Sequence, residues 1–150
     1  MATIFVDGDG CPVKDEVYRA AKRYGLEVKL VANSWMRAPE EDWLELVIVE
    51  GDFDAADDWI VERVAEGDIV VTFDIPLADR CLKKGGRVLG PKGRVFTEDS
   101  IGDAMATRDM MSQLRDMGIA TGGPAPFAKS DRSRFLQRLD EMIQASMRGA

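Results

Sequence analysis

Near its amino terminus the chain reads Phe5-Val6-Asp7-Gly8-Asp9-Gly10-Cys11-Pro12, and in its middle it reads Val70-Val71-Thr72-Phe73-Asp74-Ile75-Pro76-Leu77-Ala78. In each stretch a short apolar run ends in an aspartate and is followed at once by a helix-like pattern. A buried strand that leads into a helix is the repeating unit of an open α/β sheet, whose functional crevice lies at the carboxyl ends of the strands. The two stretches therefore predict the fold class and the edge of the sheet where chemistry would occur.

The rest of the chain alternates between strand-like and helix-like segments. Predicted strands span residues 3–7, 27–32, 46–49, 69–73 and 86–89. Because these strands are almost wholly apolar, we expect a three-layer α/β fold with a mainly parallel sheet of about five strands flanked by helices. We expect residues 1–150 to form a single domain, with a stiff loop at 121–128 and a C-terminal helix at about 130–147 packed on it.

Composition narrows the chemistry that this chain can perform. Its 150 residues include no histidine and two cysteines, Cys11 and Cys81. The lack of histidine excludes Ser–His and Cys–His catalytic pairs, histidine zinc sites and the usual general base near neutral pH. We expect both cysteines to be packed small residues, although Cys11 lies at a helix start where a thiolate would be stabilised. Oxygen ligands remain, and these favour Mg²⁺ or Mn²⁺.

The charge of the chain, −7 overall, is unevenly distributed. Between Glu40 and Asp68 there are twelve acidic residues and one basic residue, Arg63, whereas between Arg80 and Arg94 there are six basic residues and no acidic one. Two explanations of these runs stay open. They are solvated faces of the protein, or they form a polarised surface that presents an anionic substrate to a metal site. No apolar run approaches the roughly 20 residues of a membrane span, and no signal-peptide pattern is visible, so we expect a cytoplasmic protein with no membrane partner.

Four aspartates are candidates for a divalent metal site. Asp7 and Asp74 end the first and fourth predicted strands, which α/β winding places side by side. Asp9 lies between two glycines that allow the backbone to approach a ligand closely. Asp57 falls on the buried stripe of its helix with Ile60, where a charge is unusual. The alternatives for these side chains are Asx turns and helix caps.

Two arginines interrupt apolar helical stripes. Arg108 shares a stripe with Ile101 and Ala104, and Arg132 shares one with Phe135 and Leu139. Buried or half-buried guanidinium groups need carboxylate or phosphate partners. The sequence leaves two roles open for each arginine, a salt bridge between helix and core or a clamp on substrate phosphate.

Several motifs together resemble the bacterial YaiI/YqxD family of uncharacterised proteins, in the same order and over nearly the whole chain. They are Phe5 to Val13, Leu30-Val31-Ala32-Asn33, Phe53-Asp54-Ala55-Ala56-Asp57, Gly67 to Ala78 and Thr121-Gly122-Gly123-Pro124. Glycines stand at positions 8 and 10, where alanine is more familiar, and every acidic position is kept.

The resemblance implies a PIN-like fold, and PIN-type nucleases hold Mg²⁺ or Mn²⁺ with acidic residues for phosphodiester hydrolysis. By that analogy Asp7, Asp57 and Asp74 would be the catalytic metal ligands, Asp9 would support them, and Asn33 would line the same crevice. The fold alone does not establish this activity.

Three functions remain open from the sequence. The first is a metal-dependent nuclease whose basic stretch from Lys83 and Lys84 to Arg94 carries the backbone of RNA or DNA. The second is a phosphatase with Asp7 as nucleophile, since Asp7-Gly8-Asp9-Gly10 resembles the opening motif of haloacid-dehalogenase-type enzymes. The third is a non-catalytic module that binds a nucleotide or a cation. The oligomeric state is also open, with Trp35, Trp43 and the segment 35–44 as the candidate contact surface.

Overall fold

A computed structural model of the chain describes residues 2–52, 54–119 and 126–148. The strands are β1 (Thr3–Asp7), β2 (Glu27–Ala32), β3 (Leu44–Ile48), β4 (Ile69–Val71), β5 (Arg87–Leu89) and β6 (Val95–Phe96). The helices are α1 (Lys14–Tyr24), α2 (Ala55–Arg63), α3 (Ile75–Lys83), α4 (Glu98–Asp116) and α5 (Lys129–Met147). No helix within those ranges is both long and apolar enough to cross a bilayer.

The strands of this part of the chain form one sheet in the order β3-β2-β1-β4-β5-β6. Neighbouring strands from β3 to β5 are parallel, and β6 pairs with β5 in the antiparallel direction. The predicted three-layer, mainly parallel α/β fold is confirmed. The sequence pattern does not reveal β6, because a strand of two residues is too short to show a periodicity.

Helices cover both faces of the sheet, and successive residues of β1 point to opposite faces. Ile4 and Val6 belong to the core beneath α1 and α5, and Phe5 belongs to the core beneath α2, α3 and α4. Phe135 of α5 is fully buried in the first of these cores. Each central strand is therefore apolar on both faces, which explains why the strands read as continuous hydrophobic runs.

The C-terminal helix packs against α1 and reaches the loop before β4. The Tyr24 hydroxyl of α1 donates a hydrogen bond to Asp140 of α5, and Ser146 Oγ donates to the carbonyl of Gly67 at 2.8 Å. The helix begins at Lys129, one residue before the predicted start. Most of the predicted loop at 121–128 lies outside the described residues.

Candidate functional site

Asp7 lies at the carboxyl end of β1, in the middle of the sheet. Its side chain is half-buried, and its Oδ2 accepts a hydrogen bond of 2.8 Å from the hydroxyl of Thr72. Burial raises the pKa of Asp7, the Thr72 hydrogen bond lowers it, and the charges of Asp74 and Asp9 raise it further. The carboxylate at this strand end therefore faces other negative charges with a single hydroxyl donor to offset them.

Thr72 and Asp74 follow β4, the strand that pairs with β1. The Thr72 side chain is almost fully buried, and its Oγ1 accepts a hydrogen bond of 2.9 Å from the backbone N–H of Asp74. Asp74 is the N-cap of α3, and its Oδ1 accepts a 3.0 Å hydrogen bond from the N–H of Leu77. The chain of hydrogen bonds from Asp74 through Thr72 to Asp7 fixes two carboxylates relative to each other.

Asp57 reaches the same place from the first turn of α2. The side chain is half-buried, as the helical stripe predicts, whereas the neighbouring Asp58 is exposed. The pKa of Asp57 is raised from its ordinary value of 3.8 to about 7. Burial is the largest cause, followed by repulsion from Asp74, Asp7 and Asp54, and Arg80 opposes the shift. We call Asp7, Asp57 and Asp74 the carboxylate cluster.

Asp9 and Asn33 meet at the edge of this site. The backbone N–H of Asn33, just beyond β2, donates a 2.9 Å hydrogen bond to Asp9 Oδ2, and both residues are exposed. This bond ties the loop after β1 to the loop after β2. Asn33 thus lies at the carboxyl edge as the resemblance implies, and Asp9 has an observed loop-anchoring role in addition to its predicted role as a ligand.

Thr72 is the site residue that sequence reasoning missed. A threonine is common in strands, so its presence at the end of β4 does not stand out from the strand pattern. The available signal was its place two residues before Asp74, at the end of an otherwise apolar buried strand. A polar side chain at that position needs a partner, and the partner is Asp7.

The predicted cationic residues lie in three different places. Arg132 donates to the carbonyl of Pro12 at 2.6 Å and to Glu16 Oε1 at 3.2 Å, and its guanidinium lies over the ring of Phe127. Arg132 therefore makes the salt bridge to the core of α1 that was one of its two predicted roles. Such contacts hold α5 against the start of α1.

The sequence pattern predicted that Arg108 lies on a buried stripe of α4, and this prediction is wrong. Its side chain is exposed, and the nearest carboxylate oxygen, that of Asp109, is 4.0 Å away. It lines a cavity of about 290 Å³ together with Arg94 and with Ile75, the residue next to Asp74. The apolar pattern failed because the middle of α4 is largely exposed, so its methionines do not mark a buried face.

Lys83 and Lys84 lie away from the carboxylate cluster. Lys83 pairs with Asp79 at 3.0 Å, and Lys84 is the C-cap of α3. Asp74 stands at the other end of this nine-residue helix, about 13 Å away at a rise of 1.5 Å per residue. Lys83 and Lys84 therefore lie at the far end of α3 from Asp74, and their contact with a nucleic-acid backbone stays a prediction, whereas Arg94 lines the same cavity as Ile75.

Both cysteines are buried, separate thiols. Burial raises the pKa of Cys11, and it raises the pKa of Cys81 to about 12. A thiol with a raised pKa is a poor nucleophile, so the packing role expected for both residues agrees with their surroundings.

The donor atoms of the carboxylate cluster fit a hard divalent cation in chemistry and in charge. As the side chains stand, no three Asp, Glu or Cys side chains in the described residues are arranged to hold one ion. Mg²⁺ usually keeps several waters and takes one or two protein carboxylates, so it does not require a closed cage of three. The residues fit a partly hydrated cation, whose charge would oppose the burial and the repulsion that raise the pKa of Asp57.

The fold and the site together define an α/β protein with interacting aspartates at the carboxyl edge of a mainly parallel sheet. Comparison with known proteins adds the family. The family model described as "Uncharacterized BCR, YaiI/YqxD family" matches residues 5–145, and the chain belongs to this family. The recognition made from the sequence motifs is confirmed.

Relatives match the chain over its full length. A UPF0178 protein of Paramagnetospirillum magneticum is 54% identical over 148 residues, which cover 99% of this chain and 98% of that protein. A UPF0178 protein of Rhodospirillum centenum is 57% identical over 153 residues and covers 99% of each chain. A UPF0178 protein of Caulobacter vibrioides is 53% identical over 150 residues, covering 100% of this chain and 98% of that one. No solved structure matches the chain significantly.

Proposed function

We propose that this protein is a divalent-cation-dependent phosphodiesterase that hydrolyses RNA or DNA in the cytoplasm, with a partly hydrated Mg²⁺ or Mn²⁺ bound at the carboxylate cluster of Asp7, Asp57 and Asp74. The observation that carries the proposal is that Asp7, Asp57 and Asp74, from β1, α2 and the start of α3, lie close enough for the charges of Asp7 and Asp74 to raise the pKa of Asp57. Burial and, after it, repulsion from these neighbours disfavour the charged form of Asp57, and a bound cation would favour it. Clusters of this kind are characteristic of functional sites rather than of structural cores.

A cation at this site would neutralise charge on the scissile phosphate and lower the pKa of a bound water. The residues of the chain prepare the site for this chemistry. Thr72 orients Asp7 through its hydroxyl, and the N-terminus of α3 orients Asp74 through the Leu77 N–H. Neither carboxylate is neutralised by an ion pair with Lys or Arg among those that the structure gives.

The cavity that Ile75 lines, next to Asp74 in the chain, carries a net positive charge. Arg94 and Arg108 line it together with one acidic residue, Asp103, so an anionic substrate would meet one excess positive charge there. Guanidinium groups bind phosphate oxygens in a fixed, two-pronged geometry. This arrangement supports the phosphate-clamp role for Arg108, and we propose the same role for Arg94.

The test is cleavage of fluorescein-labelled single-stranded RNA and DNA by purified protein with Mg²⁺, with Mn²⁺ and with EDTA. We expect cation-dependent cleavage that falls by about 100-fold in Asp7→Asn, Asp57→Asn and Asp74→Asn, because each removes a charge from the cation site. Asp58→Asn is the matched control, since Asp58 is exposed on the same helix and pairs with Arg80. It should keep activity within about twofold.

The arginines are tested in the same assay. Arg108→Ala should raise KM more than it lowers kcat, and Arg115→Ala, further along α4 and outside the cavity, should change neither. Inactive wild-type protein with both metals on both substrates would contradict the proposal. Cleavage that persists in all three aspartate variants would assign the activity to a contaminant, and a beryllofluoride adduct at Asp7 would favour the phosphatase alternative instead.

A further inference from the structure

Trp35 is an exposed tryptophan on the segment between β2 and β3. Its relative exposure is 72%, whereas the other two tryptophans are half-buried. The ring of Trp43 packs against that of Tyr18, with centroids 6.2 Å apart, and the guanidinium of Arg63 lies over the ring of Trp59. A single exposed apolar side chain is common on protein surfaces, so a ligand-binding role for Trp35 depends on what lies around it.

The position of Trp35 ties it to the carboxyl edge of the sheet. It lies two residues beyond Asn33, whose N–H binds Asp9. In the sheet register Asp7 stands beside Val31, so β2 ends next to the carboxylate cluster. The segment that carries Trp35 therefore leaves the sheet beside the proposed hydrolytic site.

Trp35 lines an open groove of about 890 Å³. One wall of this groove is therefore an exposed aromatic ring on which a base can stack. Besides Trp35, the charged residues that line it are Lys14 and Asp15 of α1, and Arg37 and Glu40 of the segment between β2 and β3. Two cations and two anions face this cavity, so their charges cancel, and the chain as a whole is acidic. Attraction of a nucleic acid must therefore come chiefly from the aromatic ring.

We propose that the Trp35 cleft is a base-stacking subsite for single-stranded nucleic acid, which leads the strand to the carboxylate cluster. Stacking on an aromatic ring requires a base whose face is free, and in a duplex both faces of each base are already stacked. Arg37 is exposed and can approach one backbone phosphate next to the stacked base, and Lys14, whose Nζ also donates to the Cys11 carbonyl at 2.8 Å, can approach another. The inference rests on the proposed function, since it names the class of substrate that the same edge of the sheet would receive.

The experiment measures binding without hydrolysis, in buffer that contains EDTA. The probes are fluorescein-labelled oligothymidylate and oligouridylate of about 10 nucleotides, within the usual range of single-strand sites, and a duplex of the same length. We expect the wild type to bind the single strands at least about tenfold more tightly than the duplex. Trp35→Ala should weaken single-strand binding by about tenfold, and Trp35→Phe should retain most of it.

Two further readouts separate stacking from charge. Trp43→Phe is the matched control, because this ring is engaged with Tyr18, and it should leave the affinity unchanged. With Lys14 and Arg37 as the cations, a rise in salt from about 50 to 200 mM should weaken binding by no more than about sevenfold. A steeper dependence would show that phosphate contacts elsewhere dominate.

The inference fails if Trp35→Ala binds single strands as well as the wild type does, or if the duplex binds equally well. It also fails if the wild type binds none of the probes, which would leave a protein partner as the occupant of this surface. Binding that depends on Trp35 without any cation-dependent cleavage would overturn the proposed function and leave the stacking subsite in place. Cation-dependent cleavage with a KM that Trp35→Ala does not change would overturn the stacking subsite and leave the proposed function in place.

Discussion

Replacing Asp57 by asparagine should stabilise the metal-free protein. The ordinary pKa of 3.8 applies to the unfolded chain, and the value in the folded protein is about 7. Between these values the folded state binds more protons than the unfolded state, so stability falls as the pH rises from about 4 to about 7. Above pH 7 the whole penalty of the charged carboxylate is present.

The size of the effect follows from the same numbers. A change from 3.8 to about 7 corresponds to roughly 4 kcal/mol, at about 1.4 kcal/mol for each pH unit. Solvent screening at this half-buried position reduces that figure. Loss of a negative charge from the first turn of α2 removes a further ~0.3–1 kcal/mol of helix stabilisation. The net expectation for Asp57→Asn at pH 8 is a gain of about 1–2 kcal/mol in the free energy of unfolding.

Urea unfolding at pH 5 and pH 8, followed by tryptophan fluorescence in EDTA, measures the gain. The wild type should be less stable at pH 8 than at pH 5, and Asp57→Asn should lose most of that difference. Asp58→Asn, which breaks a surface ion pair, should be slightly destabilised at both pH values. If Asp57→Asn is no more stable than the wild type at pH 8, the surroundings of Asp57 do not disfavour its charged form as we have argued.

Addition of Mn²⁺ at about 100 times its Kd should stabilise the wild type by about 2.7 kcal/mol and the variant by much less.

Two other perturbations test the packing around the site and the attachment of α5. Thr72→Val removes the hydroxyl that donates to Asp7 and accepts from the Asp74 N–H, so the free energy of unfolding should fall by about 1–3 kcal/mol. Thr72→Ser keeps a hydroxyl and should retain most of the wild-type stability. Equal stability of the valine and serine variants would refute this role. Gly93→Ala should cost about 2 kcal/mol, because φ at Gly93 is +91° and a Cβ would lie 3.1 Å from the backbone carbon of Arg134. Gly102→Ala in α4, where a Cβ meets no atom within 4 Å among the described residues, should instead gain about 0.5–1 kcal/mol, and a loss there would contradict the argument.

The placement of Asp7 and Asp74 could be predicted from the sequence for a simple geometric reason. Parallel strands joined by helices all end at the same edge, and β1 and β4 are neighbours with Val6 beside Val71. A residue that follows an apolar run is therefore fixed in space once the fold class is known. Asp57 could be placed for a similar reason, because the helical period assigns it to the face that packs on the sheet.

The substrate side of the site could not be predicted in the same way. A run of charge counted along the sequence ignores the direction in which each element crosses the sheet. Helix α3 runs from the carboxyl edge to the opposite edge and takes Lys83 and Lys84 away with it, and β5 then returns to the carboxyl edge before Arg94. The basic stretch is continuous in sequence and divided in space.

Hydrogen-bonding partners distinguish Asp68, whose contacts are structural, from Asp57, for which we propose a functional role. Asp68 is buried, and its two carboxylate oxygens accept backbone N–H groups of Thr3 and Ala65, each at 2.9 Å. Its negative charge is satisfied by donors that hold β1 to the loop before β4. Asp57 is less buried, yet the charges that act on it most strongly are those of other aspartates. A carboxylate whose surroundings disfavour its charged form destabilises the fold in the absence of a ligand, and a bound cation is the ligand that would reverse the sign of that interaction.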